Sequence, residues 1–581
     1  MKNKIAIIAI VFVSFFACTD LEPNLYSGID RNNFYNNSTE VTAALLRVYE
    51  HGSWFYRNFD IFTLEELTAD QLALTQKGGH WYNQGRFIRL HEHRWTPEEH
   101  EFYDVWRGAW IGISLTNTML DELPEIDYDA IPGSLTTEDQ QRHLAEMRVL
   151  RATYYFHLLS FFGDVPISET AYGTPPDPSS RQEVYDWVTQ DLQEAAQYLP
   201  AVTYREARGR LNQGAAMHLL ARYYLNSEAW FGVPRYDEVE TITRDIINGS
   251  YGNFQLDEKF YGPFAYNNAE TSNEIIFGFP REQEFVNDRT FYNRHYHYQA
   301  PQIFGSSGQP WNGMHLQPSL KPPVAGQDYT ERSSQPRFMP HEHYNPDALE
   351  QYQWEPGIGT PYAQFHDDDL RKRTFNFEGE PGVGNKNFDV IEGMFLHGVM
   401  DSPITGELAM GTEEYRNHPL VHVDFVARAS EGQSETAMSL GEENTGVRLV
   451  KYPIYPANFG GSFDNDHVEY RLSETYYMLA ESLIRQGKSG AAEYINAVKQ
   501  RNFEDYGPHA YSDSDLDLDE MLTEWGREFI GEKRRRTDLI RFGKYGAEWW
   551  GKSGSAEYRQ LFPYPSRVLN TNPNLEQNPG Y

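Results

Sequence analysis

The stretch TEDQQRHLAEMRVLRATYYFHLLSFFG, residues 137–163, decides the fold. Leu144, Met147, Leu150, Tyr154, Leu158 and Phe161 recur every three or four residues, so in a helix they share one face. Thr137 and Gln140, three apart, predict a capping box at its start. Gly163, followed by Asp164, Val165 and Pro166, predicts its end. The next stretch, SSRQEVYDWVTQDLQEAAQYLP (179–200), repeats the pattern. Ser180 and Glu183 form its box, Val184, Trp187, Val188, Leu192, Ala195 and Leu199 its stripe, and Pro200 its stop. In GRLNQGAAMHLLARYYL (209–225), Ala215, Ala216 and Ala221 leave room for close backbone approach. Bulky rings on one helix facing small residues on another predict a helical hairpin, repeated. A stack of such hairpins is a solenoid of tetratricopeptide type, although the full repeat consensus is absent.

Farther out the same signals recur. Asn37 and Glu40 box a helix with the stripe Val41, Ala44, Leu45 and Val48, and Gly52 is expected to end it. Residues 53–95 look loop-like. Thr96 as N-cap, Pro97 and Glu99 open a helix carrying Phe102, Val105, Trp106, Ala109 and Ile113, stopped by Pro124. Tyr236, Val239, Ile242 and Ile246 line another helix before Gly249. Across 252–468 the helical period fades into a segment rich in Gly, Pro, Asn and Tyr, where NEIIFGFP (273–280) and GVRLVKYP (446–453) read as extended pieces. So long an irregular segment is usually functional. Helices resume with Leu472, Tyr476, Leu479 and Leu483, then Ala492, Ile495 and Val498. The stretch from Leu518 to Gly543 reads as one last helix. The expected fold is mainly α: a tetratricopeptide-like helical-hairpin scaffold, with helical parts at 37–250 and 469–581, and a large loop-rich insertion at 251–468.

Composition narrows the function. The 581 residues carry 84 acidic and 50 basic side chains, a net charge of −34, which argues against nucleic acid as a partner. The chain is 15% aromatic, with 39 tyrosines, enough both to fill cores and to make ligand surfaces. Its one cysteine, Cys18, forbids an internal disulfide. It follows Lys2, Lys4 and an apolar run from Ile5 to Ala17, the form of a signal-peptide core that is short for a membrane span. Phe15-Phe16-Ala17-Cys18 resembles a relaxed bacterial lipobox. The expectation is a leader at 1–17, lipid attachment at Cys18, and a polar tether over 18–36. A multiply acylated cysteine holds a protein durably on a membrane.

Two stretches mix flat apolar rings with amides and charges, as recognition of sugar C–H faces and hydroxyls requires. GGHWYNQGR (78–86) displays Trp81, Tyr82 and Asn83 between glycines. FYNRHYHYQAPQIFGSSGQPWNG (291–313) carries Tyr292, Tyr296, Tyr298, Trp311 and Asn312. If residues 295–298 are extended, Tyr296 and Tyr298 face one way and His295 and His297 the other. These eight residues are the candidate ligand contacts. Aromatic residues in long loops are more often packed under the loop than offered to a ligand. The H-x-H pairs at 91/93, 295/297 and 341/343 read as core or surface histidines before metal ligands. FHDDDLRKR (365–373) suggests an ion-paired helix start, and DNDHVE (464–469) lacks the spacing of a calcium loop. Arg534, Arg535 and Arg536 suit a structural role near a helix end. The sequence has no P-loop, dinucleotide glycine motif, nucleophile elbow or HExxH. No metal, cofactor or catalytic residue is assigned.

The order and spacing of several stretches resemble the SusD/RagB family of glycan-binding outer-membrane lipoproteins. They are Cys18; LAEMRVLRATYYFHLLSFFGDVP; GRLNQGAAMHLLARYYL; NEIIFGF; DNDHVEYRLSETYYMLAESLIRQG; WGREFIGEKRRRTDLIRFGKY; and the ending LFPYPSRVLNTNPNLEQNPGY. The resemblance implies four tetratricopeptide-like helix pairs and a variable loop-rich lobe. It further implies a lipoprotein on the outer face of a Gram-negative outer membrane, acting as a lid on a SusC-like TonB-dependent transporter and delivering oligosaccharides to it. Such proteins are not usually catalysts. The ligand positions lie in variable segments, so the eight residues above rest on their chemistry alone. A surface glycosidase, a peptide-binding member of the family and a scaffold binding protein partners only are the alternatives.

Overall fold

The computed structural model describes residues 34–173, 176–282, 294–304, 310–321, 344–379, 388–402, 404–411, 418–426, 438–452 and 465–581. The leader, Cys18, Tyr292, His341 and His343 lie outside the described residues.

The principal helices are α1 (Ser38–Tyr56), α2 (His100–Glu122), α3 (Thr137–Phe162), α4 (Arg181–Ala196), α5 (Gln213–Phe231) and α6 (Tyr236–Ile247). After the loop-rich segment come α7 (Leu472–Arg485), α8 (Ala491–Lys499), α9 (Leu518–Glu528) and α10 (Arg535–Arg541). Each of the first seven packs on the next: α1 on α2, α2 on α3, and so on to α7 on α8. The helical parts on either side of the insertion therefore form one stack of hairpins around one apolar core, in which α7 also meets α5. The mainly α, hairpin-stacked scaffold matches the expectation, with α4 lying between α3 and α5 and packing on both.

Local chemistry explains most helix ends. Ser180 and Glu183 make a reciprocal capping box on α4. The Asn37 side chain accepts from the Thr39 and Glu40 amides on α1. On α3 the box is one residue earlier than expected, Thr136 with Asp139. Gly163, at φ 81°, does end α3. Three expectations fail for packing reasons. Gly52 does not end α1, which runs on to Tyr56 because Phe55 and Tyr56 are buried on the same face. Helix α2 starts at His100, since Glu99 is held in a bidentate pair with Arg89 (2.6 and 2.7 Å). The last expected helix is two, α9 and α10, broken at Gly531 (φ 74°) and Lys533 (φ 58°). Between α2 and α3 the helices come close at Gly112, where a Cβ would stand 2.2 Å from the Tyr154 ring.

The insertion leaves and rejoins the stack through one pair of strands. Strand β1 (Ile275–Phe279) runs antiparallel to β2 (His467–Arg471), with a register shift between Val468 and Tyr470. The expected extended piece at 446–453 contains Arg448–Leu449, paired with Phe395–Leu396. Residues 59–77, which look loop-like in sequence, are almost wholly buried. The Asp70 carboxylate there takes two hydrogen bonds from Arg535 (2.6 and 2.9 Å), and Glu65 accepts from the Thr537 amide and hydroxyl. The basic run at 534–536 is thus structural: Arg535 pairs with Asp70, Arg534 with Glu474 and Asp538, and Arg536 donates to the Ser160 and Gln560 carbonyls.

Candidate functional site

The two aromatic stretches meet in space. The Trp81 indole Nε1 donates to the Trp311 carbonyl at 3.0 Å, and the two rings lie 6.3 Å apart at 38°. Tyr82 is 52% exposed and Trp311 41% exposed, while Trp81 is half-buried against the core, edge-on to Phe87. His80, exposed, lies edge-on to the half-exposed Tyr298 at 6.2 Å. Asn83 is exposed beside Tyr82. The result is a shallow platform of rings rather than a closed pocket.

The backbone under these rings is unusual. Non-glycine residues at positive φ include Trp81 (63°), Asn83 (42°), Gln84 (57°) and Asn312 (48°). Each costs roughly 1–2 kcal/mol, a strain that persists only where the surroundings fix it and that gathers at functional sites. The fixing groups are visible. Gly313 lets Trp81 lie on its backbone, since a Cβ there would stand 2.9 Å from the indole. The Lys77 ammonium, buried, donates to the Gly313 carbonyl at 2.6 Å, and burial pulls its pKa well below the usual lysine value. Arg448 donates to the Met314 and Glu443 carbonyls, and the His297 ring meets the Glu443 carboxylate at 2.6 Å. The Arg294 guanidinium sits between the Phe59 and Trp311 rings, 3.9 and 4.6 Å from their centroids. Burial lowers the Arg294 pKa to about 10.

Two of the eight residues are not displayed. Tyr296 is fully buried and donates to the Tyr452 carbonyl. Asn312 is fully buried and donates to the Glu443 carbonyl at 3.0 Å. The alternation expected for 295–298 does not arise, because these residues form a turn and His295, Tyr296 and His297 are all buried. Tyr292 lies outside the described residues. Arg294 and Lys77, which clamp the platform, lie outside the eight candidates. A lone cation in a long stretch carries no sequence signal of such a role.

The other constellations resolve into structure. His91 and His93 are buried on the Trp550 and Thr68 carbonyls, with Ser555 on the second ring nitrogen of His93. Asp466, in the DNDHVE stretch, accepts from Tyr204, from Arg208 twice and from the Arg281 amide, which leaves little for a calcium ion. In FHDDDLRKR, Asp369 grips Arg371 and Asp367 meets Lys372, but no helix follows. Among the described residues no helix is long and apolar enough to cross a membrane.

Comparison with known proteins agrees with this architecture. Residues 345–581 match the family model described as "SusD family", and residues 36–225 match one described as "Starch-binding associating with outer membrane". The starch-binding protein SusD of Bacteroides thetaiotaomicron is 25% identical over 551 residues, covering 92% of this chain and 87% of that one. SusD-like protein P38 of Formosa agariphila is 23% identical, covering 97% and 95%. Among solved structures, surface glycan-binding protein A from Bacteroides thetaiotaomicron, in complex with laminarihexaose, superposes with a TM-score of 0.58 at 18% identity, covering 93% of this chain and 99% of that one. Two family models, over residues 36–225 and 345–581, with relatives aligned along nearly the whole length, make this chain a member of the SusD/RagB family.

Proposed function

We propose that this protein is a cell-surface lipoprotein that captures oligosaccharide on the Trp81–Tyr82–Trp311 platform and passes it to a SusC-like TonB-dependent transporter, without cleaving it. One observation carries the reading: large rings from two stretches 230 residues apart are held outward on a strained backbone clamped by buried cations. Rings stacked on sugar faces contribute roughly 0.5–1.5 kcal/mol each, on the analogy of aromatic pairs, so a converging set is needed. Tyr298 and Asn83 stand beside them as further contacts. Tyr296 and Asn312 act from beneath, by holding the loop. The named ligands of the relatives, starch and laminarihexaose, support a neutral glucan as the first ligand to try.

Affinity gel electrophoresis of the purified protein against starch and laminarin tests the capture. Retardation with no released sugar on prolonged incubation is the expected result. Free migration in every glycan defeats capture, and accumulating products defeat the non-catalytic reading. The anchor is tested separately: Cys18→Ala is expected to move the protein from the membrane to the soluble fraction.

A further inference from the structure

Two segments, one around His366 and one around His509, meet at the rim of a cavity of about 880 Å³. His366 and His509 belong to its wall, and Asp368 stands between them. His366 Nδ1 is 3.7 Å, and His509 Nε2 3.5 Å, from the same Asp368 Oδ2. All three donor atoms lie within 4.8 Å of one another. A tetrahedral zinc ion with bonds near 2.0–2.1 Å holds its donors about 3.3–3.4 Å apart, so the two His–Asp spans need a contraction of only a few tenths of an ångström and the His–His span, within 4.8 Å, one of up to about 1.5 Å.

The surroundings favour a cation. The His509 ring is stacked on Phe503 at 4.2 Å and 19°, which fixes the plane of its lone pair. The basic groups of the cavity wall are already neutralised: Lys372 by Asp367, Arg527 by Glu520 and Glu524, and Lys499 by Glu524. Asp347 and Glu350 add negative charge to that wall. His366 Nδ1 accepts from the Asp368 amide at 3.2 Å, a bond that the exposed ring exchanges for a metal by a small rotation. Among the described residues the other comparable cluster, Asp60, His100 and Glu101, is already occupied by Arg86, 2.8 Å from His100 Nε2 and 3.3 Å from Glu101.

We propose that His366, Asp368 and His509 form a site for a divalent ion of the zinc class, bound by two imidazoles and one carboxylate. Two histidines and a carboxylate suit such ions better than calcium or magnesium, and three protein donors leave a position for water or a ligand oxygen. Because two of the three donors line the cavity, that position adjoins it.

The test is equilibrium dialysis of the purified full chain against micromolar Zn²⁺, with bound metal counted by mass spectrometry. Wild-type protein is expected to hold zinc in this range. His509→Phe, which keeps the stack on Phe503, and His366→Ala, at an exposed position, are each expected to weaken binding roughly tenfold or more. His100→Gln is expected to leave it unchanged. Absence of zinc from the wild-type protein overturns the proposal, as does unchanged affinity in both His366→Ala and His509→Phe. Loss of the zinc in His100→Gln alone would do so too, by assigning the ion to the other cluster.

Discussion

The segment around α9 and α10 and the platform around Trp81 and Trp311 invert the usual distribution of residue types. In the first, charges are inside: Arg371, Arg471, Arg501 and Glu528 form a buried cluster, and Arg535 grips Asp70 with almost no solvent contact. In the second, Tyr82 and Trp311 expose half or nearly half of their surface. Buried pairs are weak contributors to net stability but costly to break singly. Exposed rings contribute little to folding and are available to a ligand. The first region is therefore built to hold the scaffold together, and the second is the face we propose for recognition.

Substitutions can break or sharpen that division. Arg535→Ala leaves the Asp70 carboxylate buried without its guanidinium and is expected to cost about 3–5 kcal/mol in urea or thermal unfolding. A loss below about 1 kcal/mol would show that the buried pairs are not what holds the stack. Acid should act elsewhere in the scaffold, through buried histidines outside α9 and α10. Burial lowers the pKa of His91 to about 4, and of His157 and His295 to about 3. The unfolded chain binds these protons near pH 6.5, so the stability they confer is complete above that value. It falls as the pH drops towards 4, by up to about 1.4 kcal/mol per unit per group. Buried carboxylates such as Asp60, Glu66 and Asp424, whose pKa values burial raises to about 7 or 8, act in the opposite sense over this range, so the histidine contribution is read as a difference between variants. From pH 7 to 4.5 the midpoint of His157→Phe should fall less than that of the wild-type protein, and identical pH dependence in the two would contradict the buried, neutral state of that ring.

On the platform the expected signs separate. Trp311→Ala and Trp81→Ala should each weaken glycan binding by about 1 kcal/mol or more, roughly fivefold, while far-ultraviolet circular dichroism stays native. Native affinity in both variants would end the platform's claim to the ligand. The smallest effect is expected from Gln84→Gly. Relief of the positive φ should raise stability by about 1 kcal/mol, and a looser loop should weaken binding by less than about threefold. Lower stability in that variant would mean that Gln84 is not strained.

Much of the scaffold can be read in the sequence because its signals are local. The Ser180–Glu183 box and the three- and four-residue spacing from Leu144 to Phe161 each sit within a few turns of chain. What escapes is settled by distant partners. Nothing near Gly52 tells that α1 must continue until Phe55 and Tyr56 are buried. Nothing within residues 59–77 tells that Asp70 awaits a guanidinium 465 positions later. The composition of 78–86 and 291–313 points to rings at a surface, yet Tyr296 and Asn312 lie beneath it because a turn replaces the extended backbone. His366 and His509 stand in segments with no shared motif, and only the fold brings their rings to 4.3 Å.

The strand pair β1–β2 has a bearing on how such a protein diversifies. The strands bracket the segment between residues 280 and 466, which is also tied to the frame by Lys77 on the Gly313 carbonyl and by Arg371 on Glu528. Trp311 belongs to that segment and Trp81 to the frame. A change of ligand at the proposed platform would therefore draw on two stretches of coding sequence 230 residues apart, and an edit confined to one would leave the other half as it was.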